Sequence, residues 1–106
     1  MNNFRLSVPP VAKRGELIAI RLIIQHPMET GFRLDASGRA YTKNVINGIL
    51  CRYNGAEVMR MELSSGIAAN PYLEFFTAAT ASGEIVIDWS DDAGQKGQAR
   101  ATIAVN

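Results

Sequence analysis

ELIAIRLIIQ, residues 16–25, decides the fold class. Ile18, Ile20, Leu22 and Ile24 recur every second residue and fall on one face, while Arg21 and Gln25 fall on the other. Side chains alternate between faces only in an extended chain, so this stretch reads as a long, half-buried strand. Upstream, Phe4, Leu6 and Val8 alternate until Pro9-Pro10. Proline donates no ladder hydrogen bond, which places this first strand at a sheet edge. Downstream, NVINGILCRY (44–53) is apolar on both faces and reads as a central strand, the expected neighbour of 17–24. Asn54-Gly55 follows at once, and both residues tolerate the positive φ of a tight turn. AEVMRMELS (56–64) returns with Met59, Met61 and Leu63 in phase, and Ser64-Ser65-Gly66 reads as the next turn.

Beyond the Asn70-Pro71 break lie three more strand patterns, YLEFFTAAT (72–80), EIVIDW (84–89) and QARATIAV (98–105). Asp91-Asp92-Ala93-Gly94 is a turn cluster between the last two. About seven short strands and no helical period in 106 residues predict one all-β domain over 1–106. An immunoglobulin-like antiparallel β-sandwich fits this arithmetic, with a small Greek-key barrel as the alternative.

The composition narrows the function. Eleven basic residues against ten acidic leave a net charge of +1, so the whole-chain field favours neither nucleic acid nor a membrane surface. One cysteine excludes an internal disulfide, and one cysteine with one histidine cannot supply a protein-only zinc or blue-copper site. No phosphate-cradling glycine motif is present. The most apolar stretch, Leu17 to Ile24, is broken by Arg21 and is shorter than the ~20 residues of a spanning helix. The N-terminal residues show no basic segment followed by an apolar run, so an export signal is not expected. No cofactor, metal or catalytic set is predicted.

The longest stretch without a strand period, His26 to Lys43, is HPMETGFRLDASGRAYTK. Connections of this length in a compact domain are usually functional or disordered. It carries Arg33, Arg39 and Lys43 beside Phe32 and Tyr41, an aromatic-plus-arginine composition enriched at protein interfaces.

HPMETGFRLDASGR (26–39), CRYNGAEV (51–58), GIAANPYLEFF (66–76), Ser82-Gly83 and the W-x-DD-x-G pattern at 89–94 occur in this order and spacing. Together they resemble the Z subunit family of the SoxYZ sulfur carrier, from about Gly15 to about Gln98. The resemblance implies an immunoglobulin-like, non-catalytic subunit of a heterodimer that acts in periplasmic oxidation of thiosulfate and related reduced sulfur. It implies a Y-type partner that carries the sulfur on a cysteine of its mobile C-terminal arm, and transient contacts with other enzymes of the system. It also implies periplasmic localisation by export with a signal-bearing partner. His26, Met28, Phe32 and Arg33 of the long segment, with Asn70 and Tyr72 of the AANPYL turn, are the candidate interface residues. The apolar strands at 17–24 and 45–53 are the expected source of the buried interface, and self-association is expected when the chain is alone. The alternative is a stand-alone immunoglobulin-like binding module, and a third reading is a redox protein acting through Cys51.

Single residues are weighed against plain structural roles. Cys51 lies mid-strand in phase with Val45, Ile49 and Tyr53, and reads as a small core hydrophobe. His26, before Pro27, reads as a loop anchor through a hydrogen bond, because no orienting partner or second ligand is evident. Asp88, Asp91 and Asp92 flank Trp89, but the turn reading outweighs an acid/base or calcium role. Trp89 itself reads as core.

Overall fold

In the computed structural model, which describes residues 3–63 and 69–106, the chain is all-β, with eight strands in two sheets. They are β1 (Phe4–Ser7), β2 (Val11–Ala12), β3 (Leu17–Ile24), β4 (Ile46–Tyr53), β5 (Ala56–Glu62), β6 (Tyr72–Ala78), β7 (Gly83–Asp91) and β8 (Lys96–Val105). One sheet has the order β1-β3-β6 and the other β2-β8-β7-β4-β5. Every pairing is antiparallel except the short parallel ladder of β2 with β8. This is an immunoglobulin-like β-sandwich, as the strand periods predict. Strand β2 is the addition to the expected seven; two residues are too few to show a period. The Ser64–Gly66 turn and Ala68 lie outside the described residues.

The inner faces meet in one core. Ile18, Ile20, Leu22 and Ile24 of β3 are buried from one side. Ile49, Cys51 and Tyr53 of β4, Ile85, Ile87 and Trp89 of β7, and Ala99 and Ile103 of β8 meet them from the other. Each large aliphatic side chain so enclosed contributes about 1.5–3 kcal/mol relative to exposure. The expected pairing of β3 with the 44–53 strand is corrected: β3 lies between β1 and β6, and β4 lies between β5 and β7. Period two fixes which face of a strand is buried but not which strand shares its ladder, and residues 26–43 carry the chain across to the second sheet. The remaining placements follow the sequence. β4 is central and β1 is an edge.

Asn54 and Gly55 adopt φ of 49° and 83°, the left-handed pair of a tight hairpin between β4 and β5. Asn54 Oδ1 also accepts the Glu84 N–H at 3.0 Å, which clasps this turn to the start of β7. A Cβ at Gly83 would lie 1.6 Å from that oxygen, so the clasp requires glycine there.

Candidate functional site

The 26–43 segment leaves the end of β3 and returns to β4 as an irregular hairpin. Glu29 and Asn44 exchange backbone hydrogen bonds at 2.8 Å, and further out Tyr41 N–H donates to Arg33 O and Asp35 N–H to Arg39 O. The tip turns at Asp35, whose carboxylate accepts from the Ser37 hydroxyl and from the Ser37 and Arg39 amides. These bonds hold the Asp35 carboxyl below its ordinary pKa, the Ser37 side chain contributing most.

His26 fixes the root. Its ring Nε2 lies 3.0 Å from Asp91 Oδ2, and both side chains are almost fully buried. Met28 N–H donates to His26 Nδ1 at 2.9 Å. An Nδ1 that accepts a backbone N–H carries no proton, so the imidazole is neutral and its Nε2–H donates to Asp91. Both ring nitrogens are occupied and shielded from solvent, so the ring anchors the loop and has no free lone pair for base chemistry. Asp91 serves two elements at once, because its Oδ1 accepts the Gln95 N–H at 2.9 Å in the β7–β8 turn. Asn70, at φ 53°, completes the root: its Oδ1 accepts the His26 N–H at 3.0 Å and its own N–H donates to His26 O at 2.8 Å.

Phe32 and Leu34 project from this braced frame, 85% and 61% exposed. Arg33 stacks its guanidinium over the Tyr41 ring, 3.8 Å from the centroid, and pairs with Glu29. The Glu29 carboxylate, accepting its hydrogen bonds, raises the Arg33 pKa further. The result is a hydrogen-bonded apolar and cationic platform on a surface loop, a composition suited to protein contact.

Of the six residues singled out from the sequence, Phe32, Arg33, Asn70 and Tyr72 are exposed, whereas His26 and Met28 are buried. In the free chain those two hold the root of the segment from within, through the His26–Asp91 and Met28–His26 hydrogen bonds. Hydrogen bonds join His26 to Asn70 and Arg33 to Glu29, but among the described residues none links the two groups directly. Sequence reasoning missed Asp91 as the partner of His26. A usable signal was present, since the buried parity of Ile18, Ile20, Leu22 and Ile24 runs on through His26 and Met28.

The other candidates resolve into structural roles. Cys51 is wholly buried, and burial pushes its thiol up to about 11. Asp88 lies beside Arg52 and Gln98, while Asp92 accepts from Val45 N–H and Asn47 Nδ2. With Asp91 turned inward to His26, the three carboxylates form no common site. Among the described residues, no three His, Cys, Asp or Glu side chains stand close enough to hold a metal ion. Trp89 is buried, meets Phe4 edge-on with ring centroids 5.4 Å apart, and its indole N–H has no partner among the described residues. The apolar strands named as the interface source spend their inner faces on the core. What remains outside on β3 is chiefly Leu17 and Ile23, 70% and 40% exposed.

Comparison with known proteins gives a family and a fold. A family model described as "Sulphur oxidation protein SoxZ" matches residues 6–102. No curated protein matches the sequence. A superoxide reductase (neelaredoxin) from Ignicoccus hospitalis superposes with a TM-score of 0.72 at 18% identity, covering 99% of this chain and 82% of that one. The sulfur carrier protein SoxY from Chlorobium limicola f thiosulfatophilum superposes with a TM-score of 0.65 at 10% identity, covering 97% of this chain and 78% of that one. At these identities the likeness is one of fold.

Proposed function

Because the chain belongs to the SoxZ family of sulphur oxidation proteins, we propose that it is the non-catalytic subunit of a heterodimeric SoxYZ sulfur carrier. In this reading it binds a cysteine-bearing SoxY-type chain and helps present that chain to the enzymes of thiosulfate oxidation. It reaches the periplasm together with its partner. One observation carries the division of labour: the single thiol of this chain, Cys51, is buried in β4 with its pKa pushed up to about 11. A carrier thiol must reach several enzymes as a thiolate, and Cys51 can do neither. The sulfur is therefore borne by the partner, and the 26–43 platform with Asn70 and Tyr72 is the surface offered for contact.

Co-expression with a SoxY-type chain, followed by intact mass measurement after exposure to thiosulfate and the upstream enzymes, tests this. A one-to-one complex with added sulfur mass only on the SoxY-type chain is expected. Added mass on this chain would move the carrier site to Cys51. Absence of a complex would return the chain to the stand-alone binding modules. Fractionation of cells expressing both chains should place the pair in the periplasm.

A further inference from the structure

Among the described residues the two sheets have four edge strands, and three carry recognised protection against pairing with another chain. Strand β1 has four residues and runs into Pro9-Pro10, and β2 has two. Strand β5 carries Glu57, Arg60 and Glu62, and its ladder with β4 is interrupted by a register shift at Cys51/Arg52. Short length, edge charge and bulges are the usual devices that keep sheet edges from templating a foreign strand.

Strand β6 is neither short nor bulged. It runs seven residues, YLEFFTA, in unbroken register with β3 from Ile23↔Tyr72 to Leu17↔Ala78. Its one charge, Glu74, is engaged by Arg21 at 2.6 Å. Ile24 N–H donates to Pro71 O, and Ala79 exchanges bonds with Gly15 and Glu16, which sets the parity of the ladder. In an antiparallel pair the hydrogen-bonded residues alternate, so Leu73, Phe75 and Thr77 turn their backbone groups toward β3. Tyr72, Glu74, Phe76 and Ala78 turn theirs outward, and among the described residues β6 has no second neighbour. The flanking sheet face carries two exposed apolar groups, Tyr72 with Ile23 (55% and 40%) and Phe76 with Leu17 (60% and 70%), on either side of the Arg21–Glu74 pair.

We propose that the free edge of β6 receives an edge strand of the SoxY-type partner by antiparallel addition, with the Leu17/Ile23/Tyr72/Phe76 face covered alongside it. This rests on the partner proposed above and adds where and how that partner binds. Two arguments select a strand as the occupant. The unpaired row of N–H and C=O groups is satisfied in full only by another extended backbone. The area also fits. Large aromatic side chains present about 150–250 Å² each, so Tyr72 and Phe76 leave roughly 200 Å² in water. Leu17 and Ile23 extend this toward the roughly 450 Å² of apolar surface in a standard interface of about 800 Å² per partner. A SoxY-type chain, itself a β-sandwich by its likeness to this one, has edge strands to give.

Residue-resolved amide exchange on this chain, free and with a SoxY-type chain, tests the proposal. The amides of Tyr72, Glu74, Phe76 and Ala78 should exchange rapidly in the free chain and at least tenfold more slowly in the complex. Phe76→Pro removes one outward N–H and none of the bonds to β3, so it should fold and weaken the complex at least tenfold. Ala78→Lys, which places an unpaired charge at an exposed, outward position of β6 without touching the Arg21–Glu74 pair, should do the same and guards against a folding defect in the proline variant. A complex whose formation leaves these four amides unprotected would overturn the strand addition while leaving the proposed partnership standing. No complex with the unaltered chain would overturn both. Protection of the same amides by a dimer of this chain alone, undisturbed by the SoxY-type chain, would overturn the choice of occupant.

Discussion

Replacing His26 with alanine should loosen the root of the 26–43 platform and remove a large part of the stability of the chain. The imidazole is 2% exposed, and its loss is felt at three places. Asp91 Oδ2 loses the Nε2–H donor at 3.0 Å, and a hydrogen bond to a carboxylate contributes about 1.5–3 kcal/mol. Met28 N–H loses its acceptor at 2.9 Å, and a buried donor left without a partner costs about 1–3 kcal/mol. The space vacated by the ring adds a cavity cost that partial collapse reduces. The same relaxation serves all three, so they do not simply sum, and about 3–5 kcal/mol is expected, the range for breaking a buried partnership. Against the ~5–15 kcal/mol of an ordinary domain, the variant would be marginal. Urea unfolding followed by the fluorescence of Trp89, the single tryptophan, measures this. A cycle with Asp91→Ala should give a coupling above about 1 kcal/mol, because the two side chains share one bond. A cost below about 1 kcal/mol, or two costs that merely add, would refute the reasoning.

Gly97→Ala should destabilise by about 1–3 kcal/mol, because its Cβ would lie 2.2 Å from Trp89 Cε2. A melting temperature equal to that of the parent would show that the indole moves aside freely. The folded pKa of Cys51 stands near 11, raised from 9.0, whereas the unfolded thiol ionises as usual. A raised acid group costs stability above its unfolded pKa, so stability should be flat below about pH 8.5 and fall by about 1.4 kcal/mol per pH unit between about 9 and 11. Cys51→Ala should lose that component in parallel denaturant titrations. Arg33→Glu combined with Tyr72→Ala should leave unfolding within about 0.5 kcal/mol of the parent yet weaken binding to a SoxY-type chain at least tenfold by calorimetry. Unchanged affinity would remove both residues from the interface.

What was legible in the sequence is the information carried by period two. Ile18 to Ile24, Ile85 to Trp89 and Ala99 to Ile103 each declare which face is buried, and Asn54-Gly55 declares a hairpin, because these features act through residues close in the chain. Strand order is different. Whether β3 lies beside β4 or across the core from it depends on contacts between residues far apart in sequence, and nothing local records them. The candidate site divides the same way. The exposure of Phe32 and Arg33 follows from a segment with no period, and a plain anchoring role for His26 follows from the absence of a second ligand. Its partner Asp91 is 65 residues away and reads locally as a turn residue, which it also is.

The parallel ladder of Val11–Ala12 with Ala104–Val105 makes the second strand depend on the eighth. Pro10 O accepts the Ala104 N–H, and Ala12 O accepts the Asn106 N–H. On the ribosome, at about 5–20 residues per second, roughly 5–20 s separate the synthesis of these strands. β3 is made early in that interval, but β6 is complete only at Ala78, so for about the last 1–5 s both stand with their apolar inner faces uncovered while the sheet that will cover them lacks β8. The nascent chain thus has an obligatory window in which its greasiest surfaces wait for the last strand, and any chaperone or early-binding partner has only those seconds in which to act.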